Sequence, residues 1–329
     1  MMRLKKHVIV VFSVVLIANA QGQDVHFSQY YASPIFMNPG TTGSFEGKMR
    51  AAINYRNQWL TVGKPYSTYS ASYEIALLKK KQSTNYLGIG LNFLQDKAGL
   101  AAFKRTEINL ALAYNVQLNE ANNVALGVQG GYHLRSVDQS ELTWDSQYNG
   151  SQYIEGSESY EDIKPTFGNV DVAAGLLWRY VLGKQGDINV GFGAAHLTRP
   201  KQQFAGTSLD KLPMKFTIHG EGRFTKRMSD LAYYPNFLVA LQGPNREINA
   251  GIMFRYMMKE SSKYTSFVRG NSVHFGANYR LGDAVIIILA LELADWKIGL
   301  SYDITVSKFT TATSSVGGFE ITLVYMKVD

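Results

Sequence analysis

The chain has 329 residues, 46% of them hydrophobic and only 18% charged, with 30 Gly, 20 Tyr and no Cys. That charged fraction is below the roughly 25% of soluble domains, and the lack of Cys excludes disulfides, thiolate metal sites and a lipid anchor on cysteine. The net charge of +7 falls to +4 once Arg3, Lys5 and Lys6 are set aside (30 basic against 26 acidic), and the charges are dispersed, so nucleic acid is not implied.

Arg3, Lys5 and Lys6 form a basic start, Val8 to Ile17 an apolar stretch, and Ala18-Asn19-Ala20 a small-residue cleavage site. Together they read as a signal peptide over residues 1–20, removed after Ala20. The apolar stretch is shorter than the roughly 20 residues a membrane helix needs. No later segment qualifies either, since the most apolar run, Ala284 to Leu291, is short and bounded by Asp283 and Glu292. Export without a spanning helix leaves periplasm, medium or outer membrane.

Residues 21–47 come next, irregular because Pro34, Pro39 and Gly40 interrupt any element. Phe27, Tyr30, Tyr31, Ile35, Phe36 and Met37 make the segment too apolar to float, so it should pack against the folded remainder of the chain, on a lumen or a periplasmic rim.

From residue 48 to the end, apolar and polar residues alternate. Met49, Ala51, Ile53 and Tyr55 oppose Lys48, Arg50, Asn54 and Arg56; Ile108, Leu110, Leu112, Tyr114 and Val116 oppose Glu107, Asn109, Asn115 and Gln117. Alternate residues of a strand point to opposite faces, so each segment has one apolar wall. Fourteen strands are expected, at 48–57, 67–78, 86–95, 104–117, 123–135, 168–181, 187–197, 213–225, 235–243, 247–258, 270–281, 284–293, 295–305 and 316–327. An even number sets both ends of a bacterial barrel in the periplasm. These lengths suit a tilted membrane crossing better than the ~5–6 residues of soluble strands. The apolar faces carry no mid-strand Lys or Arg in Val124-Leu126-Val128, Val170-Val172-Ala174-Leu176 or Trp296-Ile298-Leu300. Tyr and Trp gather near segment ends, as interfacial girdles require. The expected fold is an all-β transmembrane antiparallel barrel of the outer-membrane type, with lipid against its apolar face.

Long connections are expected outside at 136–167, 198–212 and 306–315, and short turns inside at 118–122, 182–186 and near Asp295. The order breaks at Gly243–Arg246 and Leu281–Asp283, short outside, and at Lys259–Arg269, long inside. On the polar wall, Gly88, Gly90, Asn92, Ala125, Gly127, Gly131, Asn189, Gly191 and Gly193 mean either close approach of something in the lumen or tight strand coiling. Ala284 to Leu291 is apolar on both faces, so its inner side must touch something dry.

Chemistry-bearing constellations are scarce. His26, His133, His196, His219 and His274 are scattered, without an i, i+4 partner or a Cys companion, so no metal or cofactor site is expected. No G-x-S-x-G elbow or phosphate loop occurs. The acidic stretch Asp138 to Asp162 lacks the order of an EF-hand and reads as a solvated surface loop before a calcium site. A non-enzyme is expected; a barrel hydrolase would need Ser, His and an acid assembled from separate strands.

Phe27-Ser28-Gln29-Tyr30, Pro34, Asn38-Pro39, Gly43 and Tyr55-Arg56-Asn57-Gln58-Trp59 together resemble the N-terminal signature of the PorP/SprF family, outer-membrane proteins of the type IX secretion system of Bacteroidetes. Tyr279-Arg280 with Asp283, Gly299-Leu300-Ser301-Tyr302-Asp303 and Gly318-Phe319-Glu320-Ile321 extend the resemblance over the mature chain, closer to the gliding-motility branch than to the protease-secreting one. The resemblance implies a noncatalytic barrel that supports secretion or surface attachment of a cargo such as a large adhesin, with periplasmic parts of the machine as further partners. The other reading is a passive channel or apolar-solute transporter. Tyr55, Arg56 and Trp59, at the rim where the first strand ends, are the expected partner-binding residues; the other reading of them is a girdle Trp and a lumen Arg.

Overall fold

The structure is a computed structural model that describes residues 24–327 apart from 60, 62–63, 80–84, 100–102, 139–141, 143–146, 153, 155–165, 184, 203–210, 227–228, 260–269 and 308–309. The expected signal peptide, residues 1–20, and most of the acidic stretch lie outside the described residues.

Fourteen strands follow one another: β1 Met49–Gln58, β2 Tyr66–Leu77, β3 Tyr86–Ala98, β4 Phe103–Gln117, β5 Asn122–Ser136, β6 Thr166–Val181 and β7 Gly186–Ala195. The second half comprises β8 Lys215–Thr225, β9 Leu231–Gln242, β10 Asn245–Lys259, β11 Asn271–Arg280, β12 Ala284–Leu293, β13 Trp296–Thr305 and β14 Val316–Lys327. Each pairs antiparallel with its sequence neighbours, and β1 pairs with β14 (Ile53 opposite Leu323), so the sheet closes. Closure satisfies every strand edge, which lipid cannot do.

The burial pattern is that of a protein turned inside out. Leu126 and Val170 are 63% and 65% exposed on the outer face, while Arg56, Glu74, Asn249 and Glu320 on the inner face are 0% exposed. Period-2 alternation forces this sorting, and a one-residue slip in any strand would turn its polar groups to lipid. Tyr114, Trp178, Tyr256 and Trp296 stand exposed near one rim; Tyr69, Tyr132, Tyr279 and Tyr302 stand exposed near the other. β1 starts and β14 ends at the first rim, which the even strand count assigns to the periplasm. The longest outer connections follow β5 and β7, whereas β9 turns into β10 over two residues, so the outer rim is uneven.

Leu110 lies at the middle of β4 and is 52% exposed. Leu110→Arg should destabilise the barrel by about 2–4 kcal/mol, the cost of a cation at the bilayer midplane, as read by reversible denaturant unfolding in lipid; an unchanged midpoint would contradict the lipid-facing assignment.

Candidate functional site: a lumen occupied by the chain's own N-terminal segment

Residues 24–47 run along the inner wall from the outer half of the barrel to the periplasmic rim. Three short 3-10 turns, Tyr30–Ala32, Pro34–Phe36 and Pro39–Thr41, give the segment its compact path. Pro34 and Pro39 each start a turn where no amide donor is needed, and the Asn38 side chain accepts from the Gly40 amide.

The wall holds the segment by hydrogen bonds at every level. Near the outer ends of β4 and β9, the Asp24 amide donates to Gln242 Oε1 (2.9 Å), and its carboxylate meets Arg105 and His196 (2.7 Å). Burial alone would raise the Asp24 carboxyl, but Arg105, His196 and Lys215 hold it well below the usual carboxylate range. Lower down, the Tyr30 hydroxyl donates to Asn236 Oδ1 (2.7 Å), and Asn38 Nδ2 donates to the Leu176 carbonyl (2.9 Å). At the periplasmic end the Gly43 amide donates to Glu74 (3.2 Å), Glu46 pairs with Arg223 (2.7 Å) and Lys79 donates to the Phe45 carbonyl.

The strongest attachment surrounds Ser28. Its amide donates to Glu320 Oε2 (2.7 Å) and its hydroxyl donates to Asp303 Oδ1 (2.6 Å). The same hydroxyl accepts from Arg56 Nη1 (2.5 Å) and from Arg280 Nη2 (3.0 Å). Arg56 also pairs with Asp303 (2.8 Å) and Glu320 (3.0 Å), and Arg280 pairs with Asp303 (3.1 Å). Four buried charges from β1, β11, β13 and β14 thus meet on one residue of the segment. Their charges alternate, so each guanidinium is neutralised; pairing of this kind is what keeps buried ions tolerable.

Glycine supplies the room. A Cβ at Gly88 or Gly127 would run into the Thr42 or Pro39 carbonyl, and at Gly193 into the Met37 carbonyl. Close approach therefore explains these positions, and also Gly90 against Ile35 and Gly191 against Asn38. At Gly131 the obstacle is instead Asn109 of the adjacent strand, so tight strand packing accounts for that one. The apolar inner side of β12 has its dry partner too: Ile286 and Ile288, fully buried with Met253, pack against Tyr31 of the segment.

Of the residues expected to bind a partner, Arg56 is corrected: it is 0% exposed and its guanidinium is taken up by Ser28, Asp303 and Glu320, leaving no surface for another molecule. Tyr55 faces outward and is half-buried against Tyr69 (4.9 Å between ring centroids). Trp59 follows β1 at the outer rim, edge-on to Tyr66 (4.8 Å), its amide donating to the Gly317 carbonyl (2.8 Å).

Two polar clusters escape sequence reading because the pairing of neighbouring strands assembles them. His133, Asp171 and His196 converge in the outer half beside a cavity of about 80 Å³. Ser272, His274 and Glu292 meet above the periplasmic rim, beside a larger cavity of about 320 Å³. The second group has the composition of a hydrolase triad without its relay. His274 Nε2 serves both Ser272 (3.3 Å) and Glu292 (2.8 Å), and Ser272 donates to Glu292 directly (3.0 Å). A relay needs the two ring nitrogens divided between nucleophile and acid.

Residues 19–325 match the family of the type IX secretion system membrane protein PorP/SprF. The chain belongs to this family. No curated protein matches it otherwise. Among solved structures it is similar to the TodX monoaromatic hydrocarbon channel ΔS2 mutant, at 8% identity and a TM-score of 0.51 over 88% of this chain and 92% of that one. It is also similar to the CymD monoaromatic hydrocarbon channel (10% identity, TM-score 0.47, covering 89% and 91%) and to a Pseudomonas aeruginosa FadL homologue (9%, 0.49, 88% and 92%). At such identities the TodX likeness speaks for the barrel fold alone. Family and fold together make this a secretion-related outer-membrane barrel.

Arg56→Ala should cost about 3–5 kcal/mol, because it takes from the buried Glu320 its guanidinium partner and leaves Asp303 to Arg280 alone. The loss would be read as a lower unfolding midpoint in detergent, together with faster proteolysis near Ser28; a shift within about 0.5 kcal/mol would contradict the network.

Proposed function

We propose that this barrel is a noncatalytic partner-binding protein that supports export or surface attachment of a type IX cargo, a large adhesin of the gliding kind. The observation that carries this reading is the lumen: its ion pairs, glycines and dry surface are committed to the chain's own segment. A barrel so filled has its rims to offer. The outer connections after β5, β7 and β13 and the half-buried Tyr55 and Trp59 at the outer rim are the contact surfaces for cargo. The longest periplasmic connection, between β10 and β11, is the surface for the envelope-spanning part of the machine.

The rival reading, a passive channel or apolar-solute carrier, draws on the name of the similar TodX monoaromatic hydrocarbon channel. The occupied lumen argues against it, and planar-bilayer recordings separate the two: the purified barrel should stay closed, whereas a channel would conduct at once.

Deletion of the protein should abolish surface display of one large adhesin, measured by protease shaving of intact cells, while other type IX substrates still reach the medium. Normal display in the deletion strain would overturn the proposal. Combined Tyr55→Ala and Trp59→Ala substitution should weaken cargo retention about 30-fold, the scale of a ~2 kcal/mol interface hot spot, with the barrel still folded by its heat-dependent gel migration.

A further inference from the structure

His133 lies on β5 and His196 immediately follows β7, yet the pairing of β6 between those strands sets their rings 6.0 Å apart between centroids, at 83°. Asp171 of β6 stands between them, and the donor atoms of all three residues lie within 4.8 Å of one another. All three are buried, at 7%, 4% and 3% exposure for His133, Asp171 and His196.

A chain of amides fixes which nitrogen of His133 is bare. Asn92 Nδ2 donates to Gln129 Oε1 (3.1 Å), and Asn109 Nδ2 donates to Asn92 Oδ1 (2.9 Å). Asn109 Oδ1 is therefore an acceptor, and it takes the Nε2 proton of His133 (3.0 Å). The lone pair is left on Nδ1. It faces Asp171 Oδ2 and Glu107 Oε1, each at 3.7 Å, and no hydrogen bond reaches it among the described residues. Asp171 Oδ2 and Glu107 Oε1 already take His196 and Arg105, so His133 Nδ1, beside the cavity, is the acceptor of this group that a cation would satisfy. The 3.7 Å gap is too long for an N–H···O bond. It is close to the roughly 3.3 Å that separates ligands on a tetrahedral ion with bonds of about 2.0–2.1 Å.

The surroundings match what ligating histidines require. His196 Nδ1 lies 2.5 Å from the same Asp171 oxygen, and its Nε2 lies 2.7 Å from the Asp24 carboxylate. His133, with Nε2 held by Asn109 and Nδ1 turned to Asp171, has the pattern that fixes tautomer and ring orientation at metal sites. His196 donates from both nitrogens, to Asp171 and Asp24, and becomes a ligand when its Nδ1 proton leaves and the 2.5 Å contact opens to the ligand spacing. Thr198 donates to the second Asp171 oxygen (2.7 Å). Of the fixed cations beside Asp24, Arg105 is neutralised by Asp24 and Glu107, and Lys215 faces the Asp24 carboxylate (3.8 Å).

We propose that His133, His196 and Asp171 form a binding site for a divalent first-row transition ion, with zinc the natural occupant of an N2O donor set and the cavity leaving its fourth position open to water. Loading forms a bond to His196 Nδ1 and releases the proton held there to solvent. The place gives the ion a task. β6 pairs with β7 only from Ala174 to Val181; beyond that, its edge is met by the Leu197 amide on the Val172 carbonyl (3.0 Å) and by Thr198 on the Val170 carbonyl (3.2 Å). An ion here staples the wall where its ladder stops, and Asp24 links the staple to the tip of the lumen segment.

The test uses full-length processed protein, purified in detergent through a tag without histidine and stripped with EDTA. Zinc should bind at one ion per barrel by mass spectrometry of the metal and raise the unfolding temperature, and Co2+ should give the visible bands of a tetrahedral N/O site. His133→Ala and His196→Ala should each abolish stoichiometric binding, and Asp24→Asn should weaken it about 10–100-fold. To separate lost binding from a misfolded variant, zinc protection of His133 and His196 from diethylpyrocarbonate is read in the unmodified protein as well. Failure of the wild-type protein to bind zinc, binding that survives the double His substitution, or absence of protection would each overturn the proposal.

Discussion

Ser28 is bound by two arginines and two carboxylates that come from four strands, and the rest of the molecule depends on that meeting. A strand that shows lipid an apolar face must put its polar residues inside, where they need either water or a partner. Here the partner is covalently supplied. The segment brings amides, hydroxyls and carbonyls at each level of the lumen, and the wall answers with carboxylates, asparagines and glycine gaps. Without the segment, Arg56, Arg280, Asp303 and Glu320 would still pair, but the amides and carbonyls that now line it would have no replacement.

The barrel was legible in the sequence because its information is local. Alternation is written residue by residue, and the fourteen expected spans coincide with the observed strands to within a few residues; the largest offset is at β9, which starts at Leu231 where 235 was expected. Pro235 caused that offset, since proline weakens a strand assignment although the ladder runs through it, opposite Ile252. The doubly apolar β12 was equally plain, as eight residues sufficed to show it.

What sequence could not show was assembled by strand pairing. Arg56 read as a rim residue because its inward neighbours, Asp303 and Glu320, lie far along the chain on β13 and β14, which reach it only once β14 seals against β1. His133 and His196 looked solitary because no i, i+4 spacing marks side chains brought together from different strands. The small-residue wall stayed ambiguous because a glycine gap records that something is near without recording what. On the proposed reading, a filled lumen leaves the recognition of cargo to the rims.

The seam between β1 and β14 has a kinetic corollary. Glu320 sits on β14, opposite Arg56 on β1, and its carboxylate is also the acceptor for the amides of Ser28 and Gln29. The last pair of strands to zip and the stopper inside therefore share one acid. A cylinder sealed before its stopper arrived would keep Arg56 and Asn54 on Glu320 but would lack the two amide donors that Ser28 and Gln29 bring; sealing and corking are coupled through one carboxylate.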